Sequence, residues 1–392
     1  VATNIARWRP AAGWNTFGRG ILGIRALATL PDGSLVAGGN LQAAYSTSFA
    51  TGVARFDGSH WLDLNCPGRG ISAMTPRPNG NLVVTELSSP HVFEWDTSSW
   101  QQLGTAFNWD TNSITATQNG DIVIGGNFSS HGDQEMQSVA HWDGSAWHPM
   151  GDGFPSSYHS EGVLALAALS DGSIVAGGNF INPGVGRSAL MRWDGSGWAL
   201  LGPDTFGSAR ALLTLPNGNL IAAGSFDGPP DGPGRSVVLW DGTVLLDMGD
   251  GLDGNVYALA RLPNGYIVAG GKFNYSGDTP TENLAVWDGE VWKPVGQGVQ
   301  GIVYALAIDG SGDLSVAGDF VTIGGQVSAN FARYRFCDCP ADFNHDGSVN
   351  TADFEAFTNA FAAAEPGADF NHDAFINADD YDFFAERFDQ GC

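Results

Sequence analysis

Two stretches near the end of the chain carry oxygen ligands at matched spacing. Asp342, Asn344, Asp346, Gly347, Asn350 and Asp353 occupy positions 1, 3, 5, 6, 9 and 12 of one loop. Asp369, Asn371, Asp373, Asn377 and Asp380 repeat the ligand positions 27 residues later. Position 7 contributes a backbone carbonyl, from Ser348 in the first loop and Phe375 in the second. Hard carboxylate and amide oxygens at this spacing wrap one Ca2+ in a short loop, so two calcium sites are expected. The second has Ala374 where the sharp turn favours glycine. An alanine in that left-handed turn costs roughly 1 kcal/mol, which makes the second site the weaker of the two.

Each loop must be held by the element that follows it. Phe354, Phe357 and Phe361 stand at i, i+3 and i+7, and Tyr381, Phe384 and Phe388 repeat that order 27 residues on. This spacing places three aromatics on one helix face, so the two helices are expected to pack on each other. The charge distribution agrees with a cation-binding tail. Residues 337–392 hold 13 acidic side chains against one basic, Arg387, or −12, which leaves −13 of the total −25 for residues 1–336. So many acids at ligand spacing repel one another unless cations lie between them.

The pattern Asp-x-Asn-x-Asp-Gly-x-Val-Asn-x-x-Asp, with its duplicated helix, resembles the dockerin family of paired EF-hand modules over about residues 340–390. The resemblance implies a small calcium-folded module that docks to a protein partner. By the same resemblance, Thr351 and Ala352 in the first copy, with Ala378 and Asp379 in the second, occupy the recognition positions.

Residues 1–336 are periodic. An anchor of the type Leu-Pro-Asn/Asp-Gly precedes an apolar run ending near Gly-Gly-Asn-Phe, and its turn glycines are Gly33, Gly80, Gly120, Gly172, Gly218, Gly265 and Gly312. Asn-Gly and Asp-Gly between alternating apolar runs are hairpin signals. A second landmark follows each of the first six anchors, as in Trp142-Asp143-Gly144 and Trp193-Asp194-Gly195, usually with another tryptophan four or five residues later. Each unit therefore reads as four short antiparallel strands, and repeats of 40 to 50 residues with four strands each are propeller blades. The expected fold is an all-β seven-bladed β-propeller over residues 1–336, followed by a small α-helical, dockerin-like calcium-binding module over 337–392. Anchors such as Leu169-Ser170-Asp171-Gly172-Ser173-Ile174-Val175-Ala176-Gly177-Gly178-Asn179-Phe180 resemble the delta-60 repeats of bacterial propellers, a likeness of fold that implies no specific activity.

The seventh unit lacks its own fourth strand. Trp14–Gly18 looks like a fourth strand and is expected to complete that blade, which closes the ring and removes a free sheet edge. Asn4–Trp8, a third-strand look-alike, is then surplus. It packs on its own ring or pairs with a neighbouring molecule.

The four cysteines are Cys66, Cys337, Cys339 and Cys392. Three of them bracket the acidic module, which suggests disulfides and an oxidising compartment. The three pairings remain open, with Cys339–Cys392 and Cys66–Cys337 preferred. The strong negative charge disfavours nucleic acid as a partner. No apolar run approaches the ~20 residues that span a bilayer. A chain starting at Val1 rather than Met suits an exported protein whose signal peptide has been removed.

No nucleophile elbow, phosphate-cradling loop or zinc histidine pair appears. The six propeller histidines, His60, His91, His131, His141, His148 and His159, fall at blade edges. The leading expectation is thus an extracellular, calcium-binding, non-catalytic structural protein. Its propeller is joined through the tail to a protein partner, a neighbouring subunit or the cell surface, with filaments as one outcome. The alternative is a propeller that binds or degrades polysaccharide, with Glu161, Asp204 and Asp231 as candidate carboxylates, recruited to a complex by its tail. A sensor using the axial channel is a third reading.

Overall fold

The computed structural model describes residues 13–16, 21–43, 50–57, 60–87, 90–154, 159–182, 186–202, 206–227, 236–328, 330–335, 341, 343, 351–365, 368, 370 and 375–390. Seven four-stranded antiparallel arrangements, each in simple up-and-down order, follow one another along the chain. Blade 1 is built from Ile21–Thr29, Leu35–Ala43, Ala50–Phe56 and Trp61–Asp63. Blade 3 is built from Thr111–Ala116, Ile122–Gly126, Val139–Trp142 and Trp147–Pro149. The first strands of successive blades pack against each other, and Ile21–Thr29 packs against Val299–Ile308 of blade 7, so the ring is closed. The chain is a seven-bladed β-propeller with two short helices after it.

The closing strand is Gly13–Thr16. It pairs antiparallel with Phe331–Arg335, in the register Trp14↔Tyr334 and Thr16↔Ala332. The sequence places this strand at Trp14–Gly18; the pairing starts one residue earlier, and residues 17–18 and the surplus segment Asn4–Trp8 lie outside the described residues. Between blades 1 and 7, Thr29 Oγ1 donates to the Ile308 carbonyl at 2.6 Å, and Gly310 N–H donates to the Gly33 carbonyl at 3.0 Å.

Local chemistry explains the repeats. The strand 1–2 turn needs a left-handed residue, which Gly172 supplies at φ +84°. The aspartate of each Trp-Asp landmark builds the strand 3–4 turn instead: Asp143 Oδ1 accepts from the N–H groups of Ser145 and Ala146 at 2.8 and 2.9 Å. That short turn sets the two tryptophans directly opposite one another, as in Trp142↔Trp147, with ring centroids 5.3 Å apart.

Second strands are buried on both faces, as in Leu82–Glu86 and Ile122–Gly126, because neighbouring blades cover them. Small residues there allow the blades to approach. A Cβ on Gly270 would lie 2.5 Å from Val303 Cγ1 of the next blade. The outer strands are tied by a repeated latch. The indole N–H groups of Trp100, Trp147, Trp198 and Trp292 donate to the carbonyls of Leu64, Leu103, Met150 and Met248, each in the preceding blade, at 2.8 to 2.9 Å. Blade 5 has Leu245 at this position and makes no such bond. At the closing seam, Trp61 packs edge-on against Phe331 at 5.1 Å, with its indole N–H buried and unpaired among the described residues.

After the propeller come α1 (Thr351–Ala362) and α2 (Ala378–Gln390). Their apolar cluster contains only residues from Ala341 onward, whereas the seven propeller clusters lie between Ile21 and Tyr334.

Candidate functional site

The two helices meet through the aromatics that the sequence places on one face. Phe357 of α1 stacks on Phe384 of α2 with centroids 4.0 Å apart and planes 8° apart. Phe354 touches Tyr381, Phe384 and Phe388 at 6.1, 6.0 and 5.5 Å. Phe343 and Phe370, loop position 2 in the two copies, complete the centre by edge contacts to Phe357 and Phe384. Helix periodicity does not find these two, because they precede the helices; the 27-residue offset does. Ala341 and Ala368 obey the same offset and are both fully buried.

The two position-12 carboxylates, Asp353 and Asp380, are also fully buried. Each stands in the first turn of its helix, where the amide end of the helix favours negative charge. Asp380 Oδ1 accepts the Phe370 N–H at 2.7 Å and its Oδ2 accepts the Asn377 N–H at 2.9 Å. Asn377, at loop position 9, caps α2 by accepting the Asp379 N–H at 2.7 Å. Phe375 is 71% exposed, so its side chain takes no part in the core; the sequence assigns it only a carbonyl role. Thr351, Ala352, Ala378 and Asp379 are all exposed at the two helix starts, where a partner can reach them.

The remaining ligands expected from sequence, Asp342, Asn344, Asp346, Ser348, Asn350, Asp369, Asn371 and Asp373, lie outside the described residues. Among the described residues no three His, Cys, Asp or Glu side chains converge as a metal site. The donor set that is visible nevertheless suits a hard cation. Carboxylates withdrawn from water carry a desolvation cost that bonded partners must offset, and Asp380 is met by two backbone N–H groups.

Cys66 departs from expectation. It is a free thiol, so the preferred bond to Cys337 is not made. It packs against the apolar cluster shared by blades 1 and 2 and behaves as a small apolar side chain. Burial pushes its thiol up to about 12. Cys337, Cys339 and Cys392 lie outside the described residues.

In the propeller, His91, His131, His141 and His148 make local contacts, and the side chain of His159 lies outside the described residues. His91 Nδ1 lies 3.3 Å from the buried Glu86 carboxylate. His131 Nε2 accepts the Thr105 N–H at 3.2 Å and its ring packs on Phe107; burial holds its pKa below the ordinary value. His141 and His148 each meet a carboxylate on blade 3. A cavity of about 350 Å³ opens where first strands and turns of blades 3 to 6 meet, bordered by Gln118, Ser170, Thr214, Pro216 and Arg261. Arg261 is the one titratable group lining it, and the carboxylate pair of a glycosidase is not among its walls. Asp204 and Asp231 lie outside the described residues, as does the side chain of Glu161.

No known protein-family profile matches the chain, and no curated protein matches it. Solved structures do. It is similar to the extracellular domain of a one component system from B. thetaiotaomicron, at 13% identity and a TM-score of 0.56, over 83% of this chain and 40% of that one. It is also similar to the WD40 repeats of RRP9, at 14% identity and a TM-score of 0.53, over 82% of this chain and 99% of that one. The chain thus spans about 40% of the length of the first of these structures. At such identities the likeness is one of fold, and the fold is the propeller.

Proposed function

We propose that this chain is an extracellular, non-catalytic assembly protein. Its propeller is a rigid block, and its tail is a dockerin-like module that folds on two calcium ions and fastens the block to a protein partner or a neighbouring subunit. The observation that carries this reading is the pair of fully buried carboxylates, Asp353 and Asp380, 27 residues apart. Each stands at the start of a helix in one aromatic core built from a duplicated sequence. Such an arrangement suits a module whose folding free energy comes partly from metal binding. The four exposed residues at the helix starts provide the docking face. Placement outside the cell agrees with the extracellular origin of the first structural neighbour and with the absence of a helix able to cross a membrane among the described residues.

The test is light-scattering size measurement of the full chain with saturating Ca2+ and with a chelator, beside calorimetric titration of Ca2+. The reading expects heat for two unequal sites and, where the partner is a second copy, association only with calcium. No heat on titration removes the reading.

A further inference from the structure

One slot on the blades varies in chemistry. It lies on the third strand, beside the strand 1–2 turn of the same blade. Blades 1, 4 and 7 fill it with Arg55, Arg192 and Arg333, which pair with Asp32, Asp171 and Asp309 of that turn. Opposite Arg55 and Arg192 on the fourth strands stand Leu62 and Ala199. Blade 3 differs: His141 fills the slot and His148 stands directly opposite it. The ring centroids are 6.3 Å apart.

Each of these imidazoles is held by its own carboxylate. His148 Nε2 lies 2.8 Å from Asp143 Oδ2, and His141 Nε2 lies 3.2 Å from Asp121 Oδ2. The carboxylates are themselves fixed. Asp143 Oδ1 is tied to the Ser145 and Ala146 N–H groups and to the Ser145 hydroxyl. Asp121 Oδ2 accepts from the Asn119 side-chain amide at 2.7 Å. An ionised carboxylate only accepts, so in the neutral imidazole Nε2 carries the proton and Nδ1 keeps its lone pair. A carboxylate that orients an imidazole and fixes its tautomer is the outer half of a metal–histidine pair. With metal–nitrogen bonds of about 2.0–2.1 Å, two imidazoles on one ion have centroids roughly 5–6 Å apart. The observed centroid separation of 6.3 Å lies close to that range, and both rings are solvent-accessible.

We propose that His141 and His148 form a two-imidazole site on blade 3 for a divalent transition metal of the Cu2+, Ni2+ or Zn2+ class. Asp121 and Asp143 act as positioning residues and water fills the remaining coordination. Nitrogen ligands separate this site from the oxygen ligands of the tail, which suit Ca2+. An arginine at the same slot cannot ligate, so the capacity belongs to blade 3 and not to the repeat.

The probe is Cu2+, the tightest binder of the series, titrated into the full chain in saturating Ca2+ and followed by calorimetry and electron paramagnetic resonance. The expected result is one ion bound with two nitrogen ligands. His141→Gln or His148→Gln should each weaken binding at least tenfold and remove one nitrogen from the spectrum. Asp121→Asn should weaken binding roughly tenfold with both nitrogens retained. The variant His345→Gln/His372→Gln, which removes the tail imidazoles, should leave the site unchanged. Unaltered binding in both blade 3 histidine variants, or loss confined to the tail variant, overturns the proposal. Far-UV circular dichroism of each variant confirms that the propeller has remained folded.

Discussion

Asp380 and Asp379 are neighbours with opposite surroundings. The first is fully buried and holds two backbone N–H groups; the second is exposed. Asp380→Asn should therefore lower calcium affinity at least tenfold by calorimetry, whereas Asp379→Asn should leave it unchanged. In the propeller, carboxylates work as turn-formers, and this has a pH signature. Asp194 is drawn down to about 2 by the Ser196 hydroxyl first, then by the Ser196 and Gly197 N–H groups. Asp241 is lowered in the same sense, by the Val244 N–H first. A folded-state pKa below the ordinary 3.8 means that the stabilisation is complete above 3.8 and is lost as pH falls towards 2. Urea midpoints of the propeller transition should drop across that window. Asp194→Asn keeps the turn acceptor but cannot titrate, so its midpoint should fall less over the same range.

At the scale of elements, the closing strand is short. Gly13–Thr16 offers four residues to hold the last blade. A chain beginning at residue 17 would leave Phe331–Arg335 as an open edge, free to pair with other molecules. Its propeller should melt at least about 5 °C lower, since each kcal/mol lost moves a large domain by roughly 2–4 °C, and it should associate at high concentration. Scanning calorimetry with light scattering reads both effects. This strand was legible in the sequence, as were the blade count and the facing aromatics of α1 and α2, because each depends on a local repeat. The indole latches were not. Their partners are backbone carbonyls 36 to 48 residues earlier, and a carbonyl has no residue identity to read. The bulges in the first strands and the small hairpins Ser130–His131/Gln134–Glu135 and Tyr275–Ser276/Thr279–Pro280 were equally hidden. In the tail, the full burial of Asp353 and Asp380 and the places of Phe343 and Phe370 against Phe357 and Phe384 are tertiary outcomes, which no helical period marks.

For the molecule as a whole, the separation of apolar clusters at residues 334 and 341 has a thermal consequence. Chelation should lower or abolish one small unfolding transition, that of the tail, and leave the larger propeller transition in place. A scan in which both transitions move together would show that calcium stabilises the ring as well. Among the described seams of the ring, the one between blades 4 and 5 lacks an indole latch because Leu245 replaces tryptophan, and the one between blades 7 and 1 lacks it because the Trp61 N–H is unpaired.

The seventh blade also decides how a pulled molecule fails. The chain enters at Gly13 and leaves at Arg335, and these two residues are partners in the ladder. A load applied between the first residues and the tail therefore acts at one end of that ladder and opens it rung by rung, at low force. A load between the tail and a surface gripping the far side of the ring cannot unzip anything and must shear a whole blade. A protein tethered by its tail is weak in one pulling direction and strong in the other, and optical-trap traces along the two axes would differ accordingly.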